Sequence, residues 1–336
     1  MDKIFKLLTD SLLNCTNHEV PHAAEFLSQL TPVYFGALIA ATFLSGATIA
    51  LFVLHFVCIV QFVTGRMRRA LILGLAALPA CISGGALASL FAPRTWLIVH
   101  LVSFLFFSVG VYVVVCLLFS IVDGKHSAVK RMTNSKSHIR LTTPPFCCLC
   151  PRLPKPAVQL RRIRFLEFMV LQCPVVRLVA TAASLLFYDN FLLLKIIDFV
   201  ALPSLLAGIY GCHVLVNTLA KLDEVENFRY LCVFRLVDFF FLVFGVSFPI
   251  FEFLARAGAF GCGGSGLSAL ESAFFWRNFF TVVASLVFSI IATLLLKPSR
   301  SAFFDKHHAH SSCRSQSAVS MSTSMSTIET IETTST

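Results

Sequence analysis

Seven stretches of this chain are each long and apolar enough to cross a lipid bilayer as a helix, and that repetition limits its fold more than any motif does. A hydrocarbon core of about 30 Å needs roughly 20 residues, each rising about 1.5 Å. The stretches run Val33 to Val63, Ala70 to Phe91, Trp96 to Val122, Phe165 to Phe187, Phe191 to Ala220, Phe228 to Leu254 and Ser272 to Leu296. With 57% of its 336 residues hydrophobic and 13% charged, the chain holds more apolar surface than a soluble domain can bury. The expected class is an all-α membrane protein, a receptor-like bundle of seven transmembrane helices. Residues 1–32 then form an amino-terminal segment, 33–296 the membrane domain with a basic loop at 123–164, and 297–336 a tail.

The side on which each connection lies follows from Lys and Arg, because translocating positive charge is opposed and retaining it is favoured. The apolar pairs Leu7-Leu8 and Leu12-Leu13 are split by Thr9, Asp10 and Ser11, so they form no signal-peptide core and the first span directs insertion. With the amino terminus outside, the inner connections hold 19 of the 27 cationic residues and the outer ones hold 4, namely Lys3, Lys6, Arg94 and Arg256. The carboxyl terminus is then cytosolic. The net charge of +10 is a topology signal that anionic lipids account for, and it gives no support to a nucleic-acid partner.

This topology sorts the twelve cysteines. Cys15 and Cys262 fall outside, where disulfides persist, and could bridge the amino-terminal segment to the last outer loop. Two free thiols, or partners in another chain, fit the same placement. Asn14-Cys15-Thr16 is a glycosylation sequon on that side. Inside, Phe146-Cys147-Cys148-Leu149-Cys150-Pro151-Arg152 sets three thiols close before the fourth span. Cys147, Cys148 and Cys150 are candidates for reversible S-acylation, since a second acyl chain greatly strengthens the hold of one. Half a zinc site is the rival; it lacks a near fourth ligand, with only His126 or His138 at a distance. No metal or cofactor is assigned. From Ser311 to Thr336 the chain is nearly all Ser, Thr, Met and a few Glu, too polar to bury a core, and offers hydroxyls for phosphorylation.

Within the spans, small residues at fourfold spacing mark expected packing faces: Thr42, Gly46 and Ala50 in the first span, and Ala77, Cys81, Gly85 and Ser89 in the second. Pro79, Pro174, Pro203 and Pro249 are expected to bend or open their helices. An ionisable side chain at a helix centre costs about 2.5–3.5 kcal/mol on insertion scales, so such residues in spans point to function. Arg177 lies near the middle of span four with Gln172 about a turn away and no acid local in sequence. Arg235 and Asp238 in span six are three apart and share a helical face, as do Lys195 and Asp198 in span five. Gln172, Arg177, Arg235 and Asp238 are the candidate binding residues for an organic anion whose apolar body rests on Phe side chains. The bland readings are a self-contained Arg235–Asp238 pair, and Lys195 and Arg277 snorkelling to the interface.

Catalytic signatures are missing from the sequence. It has no G-x-x-x-x-G-K-[ST] loop to hold a nucleotide and no H-E-x-x-H or other zinc spacing. The run Gly261-Cys262-Gly263-Gly264-Ser265-Gly266 lacks strand and helix flanks and reads as a turn. The expectation is a protein that is not an enzyme.

The stretch from Tyr112 to Leu186 resembles the organic solute transporter alpha subunit and its wider family of seven-span solute-transporter-like proteins. Asp123-Gly124-Lys125 ends span three, Ala128-Val129 follows, Cys147 to Pro154 supplies the cysteine-rich Pro-Arg-Leu motif, and Gln172 stands early in span four. Span six matches less closely: Arg235 stands where relatives tend to have Lys, the family's Trp-Gln is missing around Gly245 and Val246, and the cysteine run is short. The resemblance implies a plasma-membrane protein that works with a single-span beta subunit, forms homodimers or heteromeric assemblies, and moves bile acids, steroid conjugates and similar amphipathic anions by facilitated transport. Two other classes fit seven spans. One is a chemosensory or G-protein-coupled receptor, although Val122-Asp123-Gly124-Lys125 is not Asp-Arg-Tyr and span seven has no Asn-Pro-x-x-Tyr. The other is a trafficking or lipid-organising scaffold.

Overall fold

The computed structural model describes residues 22–134, 138–141, 143, 156–187, 190–220, 222–260, 267–296 and 301–305. Seven long helices occupy the expected spans: Pro32–Phe62, Arg66–Phe91, Trp96–Ile121, Leu160–Leu186, Phe191–Leu219, Tyr230–Arg256 and Ala269–Leu295. All seven are long and apolar enough to cross a membrane. The second and fourth begin several residues before their apolar stretches, because the segments carrying Arg66, Arg68 and Arg69, and likewise Arg161, Arg162 and Arg164, continue the helix as its first turns. Pro79, Pro174, Pro203 and Pro249 all lie inside continuous helices.

The helices alternate in direction, which puts the first and last described residues, His22 and Asp305, on opposite faces of the bundle. The amino face carries the 92–95, 187–190 and 256–268 connections; the carboxyl face carries the 123–159 and 222–229 connections and residues 301–305. The first, second and seventh spans pack mutually, the sixth packs on the seventh, and the fourth and fifth form a tight pair. The third is central, touching the second, fourth, fifth and sixth, and more than half of its most apolar stretch is buried.

Close packing does not follow the stripes expected from the sequence. Thr42, Gly46 and Ala50 are all exposed, and the first span instead buries Leu38, Ala41, Ser45 and Thr48. That face is also lined by small residues, and its Ser45 accepts a 3.1 Å hydrogen bond from Ser83 of the second span. Cys81 is likewise exposed, while Gly85 and Ser89 lie nearer the packed side. The closest approach lies between spans four and five. A Cβ added at Gly208 would sit 2.7 Å from Cys173 Cβ, and one at Gly211 would sit 3.1 Å from the Leu166 carbonyl oxygen. Gln172 locks the same pair: its amide donates to the Ser204 carbonyl (3.1 Å) and its oxygen accepts from the Ser204 hydroxyl (3.0 Å).

The carboxyl face is built from turns the sequence encodes. Asp123 and Gly124 both have positive φ (53° and 95°), reversing the chain after span three. Lys125 then pairs with Glu167 of span four, and the helix Lys125–Asn134 lays Ala128 and Met132 onto the core. The two feet of the cysteine loop are tied together by the His138–Ala157 bridge and by the Ile139 amide donating to the Pro156 carbonyl (2.9 Å). Cys147, Cys148 and Cys150, with Asn14, Cys15, Cys262 and the Ser311 to Thr336 tail, lie outside the described residues.

Replacing Gly208 by Val is expected to force spans four and five apart. Overpacking of this kind costs about 1–3 kcal/mol. The apparent Tm of the detergent-solubilised protein, read by size-exclusion chromatography after heating, should fall. Gly36→Val serves as the control, because a Cβ there meets nothing within 4 Å.

Candidate functional site

In the half of the bundle next to the amino face, Arg177, His100 and Arg277 converge on one block of aromatic rings. At about 1.5 Å per residue, Arg177, Asp198, Phe104, Phe248 and Arg277 all lie roughly 10–15 Å from that face, in spans four, five, three, six and seven. Arg177 Nη1 bonds Asp198 Oδ1 at 2.9 Å, so its acid comes from the next helix, while Glu167 of its own helix pairs with Lys125. Its guanidinium carbon lies 4.8 Å over the Phe104 ring.

Arg277 is only 3% exposed. Snorkelling to the interface, the bland reading of this residue, is therefore corrected: the side chain projects from the face of span seven that also buries Ala273, Phe274, Asn278 and Thr281. Its guanidinium carbon lies 4.9 Å over Phe244 and 5.2 Å over Phe248. Its Nε donates to Ser247 Oγ at 3.4 Å, and its Nη2 has no partner among the described residues. No carboxylate among the described residues lies within ion-pair distance; nearby Glu271 closes the capping box at the start of span seven.

The rings join the two cations. His100 stacks on Phe248 at 4.4 Å and meets Phe104 edge-on at 4.8 Å, while Phe104 and Phe244 are 5.2 Å apart. A guanidinium over a ring face is stabilised by about 2 kcal/mol when desolvated. Phe104 holds Arg177 on one side of the block and Phe244 and Phe248 hold Arg277 on the other, with His100 between. Among the described residues, two guanidiniums and one carboxylate leave an excess of one positive charge at this block.

The other candidate residues lie elsewhere. Asp238, nearer the carboxyl face, is held by His213 Nε2 of span five at 3.1 Å and more loosely by Arg235 Nη1 at 3.9 Å. Arg235 is therefore not in a self-contained pair, and 56% of its side chain is exposed. Asp198 is spent on Arg177, and the side chain of Lys195 lies outside the described residues. Gln172 holds spans four and five together. Of the four candidates, Arg177 alone reaches the aromatic block. Sequence reasoning misses His100 and Phe248 and gives Asp198 and Arg277 other roles, as the partner of Lys195 and as a snorkelling residue; the available signal is in span seven, where Asn278, Thr281, Ser285 and Ser289 extend the polar face of Arg277 at helical spacing.

Comparison with known proteins places this chain in a family. Residues 37–300 match the family model described as organic solute transporter Ostalpha. The chain belongs to the organic solute transporter alpha family. Among its relatives is the organic solute transporter alpha-like protein 2 of Caenorhabditis elegans, 48% identical over 99% of this chain and 96% of the relative. The alpha-like protein 3 of the same organism is 30% identical over 90% and 88%. The organic solute transporter subunit alpha of Leucoraja erinaceus is 26% identical over 45% and 42%. No solved structure matches the chain. As a member of this family the chain is a multi-pass membrane protein of a solute transporter family, not of an enzyme family.

Removing the acid from the Arg177–Asp198 pair leaves a buried guanidinium without its counter-charge, so Asp198→Asn should lower stability more than Asp198→Asn combined with Arg177→Met. Coupling in such a contact runs to about 0.5–3 kcal/mol. Thermal unfolding of the single variants and the double variant in detergent measures it.

Proposed function

We propose that this chain is the alpha-type subunit of a transporter that moves amphipathic organic anions, such as steroid conjugates or bile acids, down their own gradient without ATP. One observation carries the reading: Arg277 is buried against Phe244 and Phe248 with no carboxylate among the described residues and with an unpartnered Nη2. A cation left unpaired inside a membrane bundle costs several kcal/mol unless an anion meets it. A sulfate or carboxylate can be met by Arg277 on one side of the block and by Arg177 on the other as it passes, with its hydrocarbon body against the Phe rings between them. Asp198, with 46% of its side chain exposed, can release Arg177 as the substrate anion replaces it. The single excess positive charge matches a monoanion.

The remaining assignments follow from this reading. Arg235 is a third cation, met nearer the carboxyl face, where Asp238 contacts both it and His213, and Gln172 keeps spans four and five together. The excess of cations on the carboxyl face supports a cytosolic orientation for it and an amino terminus outside, which exposes Asn14 to glycosylation and lets Cys15 and Cys262 pair. The feet of the loop, tied together at 138–139 and 156–157 just before span four begins at Leu160, support acylation of Cys147, Cys148 and Cys150, because thiols close in sequence to a membrane entry suit acyl chains. The lipid-side face of span five, with Ile196, Phe199, Val200 and Leu202 exposed, suits the helix of a single-span beta-type partner, in homodimeric or heteromeric assemblies at the plasma membrane.

The test is uptake of labelled steroid sulfate into cells expressing the chain, alone and with candidate single-span partners, with and without ATP depletion. Saturable flux that needs a partner and survives depletion is expected. Arg277→Met and Arg177→Met should each lower it about tenfold or more at unchanged surface expression, the loss of one charged contact. Full flux through both variants would remove the aromatic block from the path.

A further inference from the structure

The half of the bundle next to the carboxyl face encloses a second space of opposite chemistry. A cavity of about 370 Å³ lies between spans one, two, six and seven, with Leu117 of span three lining it as well. Its size falls within the range of about 300–1,000 Å³ typical of small-molecule sites. Leu75, Leu236, Phe240 and Phe288 are among the side chains that line it, and none of its lining residues is Lys, Arg, Asp or Glu. An anion has no partner there, which separates this cavity from the aromatic block.

Its polar atoms gather at one place. His55 Nε2 and Thr293 Oγ1 are 2.8 Å apart, and the Thr293 hydroxyl donates to the Ser289 carbonyl at 2.7 Å. The Thr293 oxygen must therefore accept from Nε2–H, which leaves His55 Nδ1 as an acceptor. Ser289, on the same wall, has no hydrogen bond through its hydroxyl among the described residues. An acceptor and a free hydroxyl at one end of a hydrocarbon chamber match a single alcohol group on an apolar body.

The chamber also has a stopper. Beyond span seven, Phe303 and Phe304 turn back and line the cavity from the carboxyl face, both nearly fully buried. Polar bonds hold the turn: the Ser301 hydroxyl donates to the Phe228 carbonyl at 3.0 Å, and the Ala302 amide donates to the Asn227 carbonyl at 3.3 Å. Asp305 closes it, accepting from Thr64 and lying 3.6 Å from Arg68 Nη1, whose guanidinium carbon is 5.1 Å over the Phe228 ring.

We propose that this cavity is a binding site for an uncharged single-hydroxyl lipid, its hydrocarbon packed among spans one, two, six and seven, its hydroxyl met by His55 and Ser289, and its entry closed by the Phe303-Phe304 turn latched through Asp305. The site is separate from the anion path and does not depend on it.

The experiment uses the full chain in phosphatidylcholine nanodiscs and a dodecanol carrying a diazirine at its chain end, with labelled peptides mapped by mass spectrometry. Photolabel should concentrate on the 54–59 and 288–296 segments and be displaced by unlabelled dodecanol but not by dodecyl sulfate. Filling the chamber with Ala292→Trp, or separately with Ala76→Phe, should lower that labelling roughly tenfold, equivalent to about 1.4 kcal/mol of affinity, while labelling of exposed Phe199 and Val200 stays constant. Asp305→Ala should speed labelling of the cavity segments without changing the final map. Label spread evenly over lipid-facing residues, or unaltered by both filling variants in protein that elutes as a single species, would overturn the site. Equal displacement by dodecyl sulfate would overturn its preference for an uncharged ligand, and an unchanged rate in Asp305→Ala would overturn the latch.

Discussion

A guanidinium carried into hydrocarbon must find its partners within the protein, and the arrangement of spans three to seven around Arg177 and Arg277 meets that requirement. Arg177 is answered by Asp198, which reaches it because spans four and five are pressed together at Gly208 and Gly211 and tied by Gln172 to Ser204. Arg277 has ring faces and one hydroxyl, so much of its desolvation is met by Phe244 and Phe248. Span three touches both sides, and its His100 and Phe104 form the bridge. Packing on the four–five side and polarity on the six–seven side are therefore consequences of the same need.

The polar and apolar interiors occupy opposite ends of the bundle. Toward the amino face the interior is aromatic and cationic; toward the carboxyl face, among spans one, two, six and seven, it is aliphatic and hollow. Each interior is closed in its own way. At the amino face, stacking of Trp96 on Phe274 at 4.2 Å covers the approach to His100 and Arg277 from the start of span three. At the carboxyl face, the Phe303-Phe304 turn is held by an ion pair and hydrogen bonds that can exchange with water. A contact that rests on stacking in an apolar layer opens less readily than one whose polar groups have solvent as an alternative partner.

The number, length and order of the spans are legible in the sequence because hydropathy over about 20 residues is a strong signal. The faces are not, because both sides of the first span carry small residues at helical spacing: Thr42, Gly46 and Ala50 on one side, Ala41, Ser45 and Thr48 on the other. Only the position of the neighbouring helices separates them. The same holds for charge. Arg235 and Asp238 can be paired by counting along one helix, whereas Asp198 reaches Arg177 across two helices and 21 residues, and no periodicity within a span reports that. Arg277 lies near a span end, where snorkelling is the simplest reading, yet the polar residues that follow it on the same face mark an interior stripe.

Spans five and six are where the ring is thinnest. Span five is committed to span four through its glycines and to span three, and it meets span six chiefly where His213 reaches Asp238 and stacks edge-on against Phe234 at 5.0 Å. That contact lies toward the carboxyl face, while Asp198 and the exposed Phe199 lie toward the other end of the same helix. A helix anchored at one end and along one side can swing at its other end while most of its packing stays intact. The residue at that end is Asp198, the counter-charge of Arg177, so the pairing of the buried cation rests on the end of span five that has the fewest contacts with span six.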